Sequence, residues 1–504
     1  MTGTKLRILI VAMLVSFAPA CDSSSENEKD TGPLLVPEQY PTIGDAVDAA
    51  EDGDVIVVSP GTYSETVDFD GKAVTIRSTD PDDPDVVAST IIDGDGGPCV
   101  VTFQFGEGRD TVLEGVTVTG GTGGNTMTHG GGVCVWNNSG PVVRKNLITG
   151  NDAYVGGGVI VVDSWPLIEE NRIVENVAES RGSGIFVSSG SDVTILDNLI
   201  MNNIEGSGAI HARDDDTTAI IEGNTIADNE TDYGVGGIEI AYGASAEILD
   251  NGITGNMGSG DGSAGGITVR RAFASILNND IIANEKDGGV GGAGITVVGH
   301  HSQDAWAEIE SNLIFGNINF SSSGGAISVT YNSSAFIFDN IIEENEATAW
   351  GGGIFVYSLR EDQEGNPHFV EIHANEIIDN IITGIDSGGG IAVRGGADVK
   401  ITENLISSNV ASEPGASGSR NGGGISVQLA HAVATIYDNI IENNYAGSRG
   451  GGVYIGQDST VLGPLGESWE RLNSPPSEPF NTYSGNMHED TCGHDVFFQE
   501  NQCD

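Results

Sequence analysis

One short pattern, Val/Ile-x-x-Asn-x-Ile-x-x-Asn, returns eleven times along this chain. Its leading Asn falls at Asn146, Asn171, Asn198, Asn224, Asn251, Asn279, Asn312, Asn340, Asn375, Asn404 and Asn439. An Ile follows two residues later, from Ile148 to Ile441, and a second Asn five residues later, from Asn151 to Asn444. A degenerate twelfth copy runs from Asn481 to Asn486, with Tyr483 in place of Ile. Fixed spacing of this kind means one structural unit stacked on itself, a solenoid. A solenoid absorbs 504 residues in one elongated domain.

A glycine-rich turn and a short apolar strand precede each Asn motif, as in Gly351-Gly352-Gly353-Ile354 and Gly422-Gly423-Gly424-Ile425. Alternation such as Ile425-Ser426-Val427-Gln428 is a strand with one buried face. Most repeats measure 25 to 29 residues, room for three short strands and three turns. The expected coil pairs each strand in parallel with its copies above and below. About 15 coils at ~4.8 Å make a rod of about 70 Å. Ile and Val columns fill its core, and Asn in successive coils can stack into amide ladders. Gly at 74 positions and many β-branched residues oppose a helical solenoid.

Acidic residues number 73 against 20 basic, a net charge of −53. That balance argues against nucleic acid as a partner, which needs clustered Lys and Arg, and disfavours broad adhesion to anionic lipid. Residues 1–20 read as an export signal. Lys5 and Arg7 lead, Ile8 to Phe17 are apolar, and Ala18-Pro19-Ala20 offers a cleavage site. Cys21 follows, a layout resembling bacterial lipoproteins, in which the Cys is lipidated; ordinary cleavage would leave a free thiol. Residues 21–35 are expected to be a polar tether. An exported protein can keep disulfides, and local pairing gives Cys99–Cys134 and Cys492–Cys503, one of three possible connectivities.

Residues 36–94 differ from the repeats. Ile43, Ala46, Val47, Ala49 and Ala50 predict a short amphipathic helix over Gly44 to Glu51, followed by a strand from Val55 to Val58. The run VPEQYPTIGDAVDAAEDGDVIVVSPGTYSETVDFDGKAVTIRS resembles the N-terminal cap and first coils of the pectin-lyase-like superfamily. The later repeats resemble that superfamily's helical region. The resemblance covers about residues 36–500. It implies an all-β, single-stranded right-handed parallel β-helix over 36–456 with a short capping helix, then a last coil and C-terminal cap over 457–504. It implies no single activity, because the superfamily holds lyases, hydrolases, esterases, epimerases and non-enzymatic surface proteins. Gly61-Thr62-Tyr63-Ser64-Glu65 matches a stretch of its pectin methylesterases, but their downstream Gln and Asp motifs are not evident. The match therefore covers scaffold only.

Chemistry is sought where strands face outward or loops leave the repeat. With Ile210, Ile238 and Ile267 inward, His211, Arg213, Glu239 and Arg270 fall on one outer face. A His, a carboxylate and two guanidiniums could bind and deprotonate an acidic sugar; a salt-bridge cluster is the plainer reading. Two long loops leave one corner. The first, Gly299 to Trp306, carries His300, His301, Asp304 and Trp306; the second, Ser358 to His368, carries Arg360 and Glu361. They are candidates for sugar binding, with metal ligation disfavoured. Outward Phe355, Tyr357 and Tyr454 could stack on sugar rings. Asp-rich stretches at 80–85, 93–95 and 214–216 could hold Ca²⁺ loosely, although solvated turns suit them better.

Two functions fit. The first is a lipid-anchored envelope protein, facing periplasm or cell surface, that binds a polysaccharide or another surface component without catalysis. The second is a lyase or epimerase on uronate-containing glycans. A loop-walled groove over the His211 cluster would favour the enzyme, and a flat face the binder.

Overall fold

The computed structural model describes residues 32–123, 130–300, 303–358, 368–396, 398–411, 421–429, 432–456, 459–462, 481–488 and 496–498. Two units separate in it, Met1–Gly32 and Pro33–Asp504. Among the described residues of the second unit, strands stack into one 16-stranded and two 15-stranded parallel sheets. One coil shows the order. Ile210–Arg213 lies in the second sheet, Thr218–Glu222 in the first and Thr225–Ala227 in the third, before Ile238–Ala241 re-enters the second. Shorter ladders of three and eight strands sit at the corner between third and second sheets. This is the parallel β-helix expected from the repeat.

Sequence period and core agree column by column. Ile210, Ile238, Ile267 and Ile295 pair in register and are buried in one continuous core, as are Ile200, Ile226, Ile253 and Ile281 of the third sheet. The Asn residues form two amide ladders. Asn279 Nδ2 donates to Asn312 Oδ1 at 3.0 Å, and its backbone N donates to the same oxygen. It also donates to the Ile248 carbonyl in the coil before. The leading ladder runs from Asn146 to Asn481 and the second from Asn151 to Asn486. Buried corner groups that would otherwise lack partners are satisfied this way.

The corner itself is turned by a left-handed residue immediately before the Asn, such as Asp197 (φ 52°) and Asp250 (φ 53°). Asp and Asn tolerate that conformation better than bulky residues do. The glycine triplets meet a tighter constraint. Gly351 has φ +66°, and a Cβ on it would stand 2.3 Å from the Ile354 carbonyl. A Cβ on Gly352 would stand 2.5 Å from the Gly389 carbonyl in the next coil. Side chains are therefore excluded where the backbone folds over the second sheet.

At the N-terminal end the helix is Ile43–Ala49, capped by the Thr42 side chain, with Ile43, Ala46 and Val47 buried in the core. Glu65 accepts from the backbone N of Ile43 and Gly44, both at 2.9 Å, placing its charge at the helix start. Tyr63 donates to the Ser59 carbonyl at 2.8 Å. The Gly61–Glu65 stretch thus serves the scaffold. A second helix, Pro84–Ser89, was not anticipated; Asp83 caps it and Asp82 pairs with Lys145 at 2.6 Å. Cys99 and Cys134 are joined by a disulfide on the outer side of the second sheet, beside Ile160 and Phe186. In the tail, Thr482–Ser484 and Val496–Phe498 continue two sheets. The export signal 1–20, Cys21, Cys492 and Cys503 lie outside the described residues.

Candidate functional site

Each strand of the second sheet presents its second and fourth residues away from the core. The second position reads His211, Glu239, Thr268, Thr296, Ser328, Phe355, Ala392 and Ser426 in successive coils. The fourth reads Arg213, Ala241, Arg270, Val298, Thr330, Tyr357, Arg394 and Gln428. Outward does not mean exposed. Every residue of the first column is buried, because the turns entering the sheet lie over it. Thr296 Oγ1 shows the contact: it accepts from Gly292 N at 2.8 Å and donates to the Ser263 carbonyl at 3.1 Å.

His211, Glu239 and Arg270 come together as expected. His211 Nδ1 stands 3.2 Å from Glu239 Oε2 and 3.0 Å from the Ser207 carbonyl. Arg270 Nε donates to Glu239 Oε1 at 2.8 Å, and its Nη2 donates to the Gly262 carbonyl at 2.8 Å. Ser207 Oγ donates to Glu239 Oε2 and accepts from Val235 N at 3.1 Å. Burial opposes ionisation of Glu239, but His211, Arg270 and Ser207 outweigh it and hold the carboxyl well below its usual range. The cluster is roofed rather than grooved: His211 is 1% exposed and Glu239 3%. Phe186 stacks on the imidazole with centroids 5.7 Å apart, and His211 Nε2 is buried without a hydrogen-bond partner.

Arg213 does not join the cluster. It shares a column with Arg270, two coils away, but its guanidinium turns to Asp214 at 2.8 Å and lies 5.0 Å over the Tyr242 ring. A carboxylate one residue along the chain is simply closer than Glu239. Lys286, which sequence reasoning passed over, holds the turn that carries the Arg270 acceptor. It is a fully buried lysine whose Nζ donates to the carbonyls of Gly260 (3.2 Å), Gly288 and Gly289 (3.0 Å). The Gly260 segment leads directly to Gly262, the acceptor for Arg270. Burial pulls the Lys286 ammonium down to about 8, against the opposing pull of Asp261 and Asp287.

The proposed binding residues scatter. Phe355 and Tyr454, expected on the surface, are 3% and 4% exposed under the turns. Tyr357 is half-buried, stacked on Phe355 at 6.1 Å and edge-on to Tyr331 at 6.3 Å. One coil on, Arg394 lies over Trp350, Cζ 3.7 Å from the ring centroid. Trp306 is not a loop residue. It belongs to strand Ala305–Glu310 of the first sheet and meets Phe336 at 6.1 Å, on a different face. His300 forms a tight bridge with Gln303 at the start of its loop, and Asp304 precedes the Trp306 strand. His301, Arg360 and Glu361 lie outside the described residues.

Among the described residues, no group of three or more His, Cys, Asp or Glu side chains could hold a metal ion. The acidic stretches engage their own surroundings: Asp93 accepts from Asp95 N, Asp83 caps a helix, and Asp214 pairs with Arg213. No helix among the described residues is long and apolar enough to cross a membrane.

A family model described as "Right handed beta helix region" matches residues 101–220 and 131–303. Comparison with curated proteins finds no match. Among solved structures, a mannuronic acid specific polysaccharide family 6 lyase from human gut microbiota is 13% identical, with TM-score 0.32, over 78% of this chain and 82% of its own. A PL6 family polysaccharide lyase from Pseudopedobacter saltans is 13% identical, with TM-score 0.28, over 91% and 93%. A mutant of the PL6 family alginate lyase AlyGC is 12% identical, with TM-score 0.29, over 90% and 76%. At that similarity no substrate or residue role carries over. The chain is a right-handed parallel β-helix.

Proposed function

We propose that the protein is a polysaccharide-binding β-helix of the bacterial cell envelope, lipid-anchored through Cys21, that receives an acidic glycan along the outer face of its second sheet. One observation carries this reading. A chain with only 20 basic residues places Arg213, Arg270 and Arg394 in a single column, with Tyr357, Thr330 and Gln428 between and beyond them; Arg213 and Arg270 already pair with Asp214 and Glu239, which leaves Arg394 to meet a ligand's charge. Seven coil steps at ~4.8 Å make a strip on the order of 30 Å, parallel to the rod. Such a strip suits a polymer better than a small molecule. Guanidiniums pair with carboxylates, and aromatic faces take sugar rings.

A lyase or epimerase acting on uronate-containing glycans is the second reading. It is favoured by His211, whose Nε2 lacks a partner while Nδ1 is oriented by Glu239. Against it stands the roof over the cluster, which a polymer would have to displace. The deciding experiment incubates the purified full chain with a panel of acidic polysaccharides, with and without Ca²⁺. Sedimentation reports binding, and ultraviolet absorbance reports unsaturated products. Binding without products is the expected result. Products abolished by His211→Ala would replace the binder with the enzyme. Neither binding nor products across the panel would remove both readings.

A further inference from the structure

The Arg394 end of the column differs from the rest in being chemically unfinished. Arg394 and Tyr357 occupy the same strand position in adjacent coils. The guanidinium carbon lies over the Trp350 ring and the residue is half-buried, and its Nε is buried without a hydrogen-bond partner. Beside Tyr357 in the preceding coil, the Thr330 hydroxyl is also buried without a partner, at 0% exposure. Buried polar atoms are nearly always paired, and of the five left unpaired on this outer face, Thr330 Oγ1 and Arg394 Nε lie in the coils on either side of Tyr357. Stacking fixes the plane of a guanidinium and leaves its in-plane N–H groups directed sideways, the fork that a carboxylate fits.

We propose that Trp350, Tyr357 and Arg394 form a subsite for one carboxylated pyranose. The sugar carboxylate meets the edge of the Arg394 guanidinium, the ring packs on Tyr357, and a hydroxyl reaches Thr330 Oγ1. Tyr331 closes one side through its edge contact with Tyr357 and is itself 36% exposed. Asp386 is the acidic group that faces Arg394, and burial raises its carboxyl above the usual value despite that guanidinium. The inference rests on the acidic-glycan reading and names where along the strip an acidic sugar is gripped.

The test compares a short oligouronate with its methyl ester, which keeps the sugar and removes the charge, by titration calorimetry on the full chain. The wild type is expected to prefer the acid. Arg394→Gln, which keeps the stem over Trp350, should weaken acid binding at least tenfold and abolish the preference. Tyr357→Ala should weaken acid and ester alike. Wild-type affinity and preference in Arg394→Gln would overturn the subsite, as would equal binding of acid and ester by the wild type. Polymer sedimentation run in parallel separates the two ideas. Polymer captured by a variant that keeps its acid preference leaves the general reading and removes this subsite. Acid preference in the oligosaccharide without polymer capture does the reverse.

Discussion

Two stretches of the second sheet use the same strand positions to opposite ends. Around His211, Glu239 and Arg270, every oxygen of the central carboxylate is occupied and the group is sealed under turns. Around Tyr357 and Arg394, a cation rests on an aromatic plane with a nitrogen to spare, and Thr330 keeps an unused hydroxyl. The first arrangement is what a buried ion pair needs to exist at all, since each partner compensates the other's desolvation. In the second, no protein group hydrogen-bonds that nitrogen or that hydroxyl. Charge on a face is thus a poor guide to binding. Whether the charge already has its partner is a better one.

The contrast breaks most readily by deletion. Glu239→Ala strands Arg270 and His211 under the roof and should cost about 3–5 kcal/mol in denaturant unfolding. Arg394→Ala loses its stacking on Trp350 and its attraction to Asp386 and should cost about 1 kcal/mol. Equal costs would show that both ends are structural. A pH series sharpens the first half. Glu239's folded carboxyl sits below its unfolded value near 4.5, so its contribution is fully present above that value and fades as pH falls through the lower folded one. Glu239→Gln should therefore be less stable than wild type at neutral pH, with the gap closing in acid. A gap that stays constant with pH would deny the carboxylate its role. Ser207→Ala removes one donor to Glu239 and one acceptor for Val235 N, for roughly 1–3 kcal/mol. Hydrogen exchange at Val235 and Gly234 would locate that loss. The smallest effect is expected from Tyr357→Phe, which keeps the ring. Calorimetry should find oligouronate affinity within about threefold of wild type if stacking carries the contact.

The fold was legible because the ladder residues repeat at fixed spacing, and any parallel coil must bring copies of one position together. The same logic put His211 beside Glu239 and Arg270. It failed for Arg213 because register fixes where a side chain starts, while a local carboxylate at Asp214 decided where it ends. It failed for Phe355 and Tyr454 because their cover comes from turns whose path the alternation does not encode. Trp350 was passed over for that reason too, since it sits in such a turn. Arg394 was within reach, sharing a column with Tyr357 once the strands are aligned. Lys286 escaped because a lysine between Glu285 and Asp287 reads as surface, whereas the strand turns it inward to carbonyls.

The Asn ladders have a direction. Each side-chain amide donates to the Asn oxygen of the next coil and accepts on its own oxygen from the Asn of the coil before, from Asn146 to Asn481. Every coil therefore presents the same socket below and the same plug above. A whole coil added or lost in the middle leaves all other joints unchanged, whereas a few residues added within a strand break one. Over generations such a molecule lengthens in quanta of one coil, and any row of side chains along its side lengthens with it. The reach of its outer face is then set by copy number, which duplication can change in a single event, while the outward side chains vary on coils that already fit.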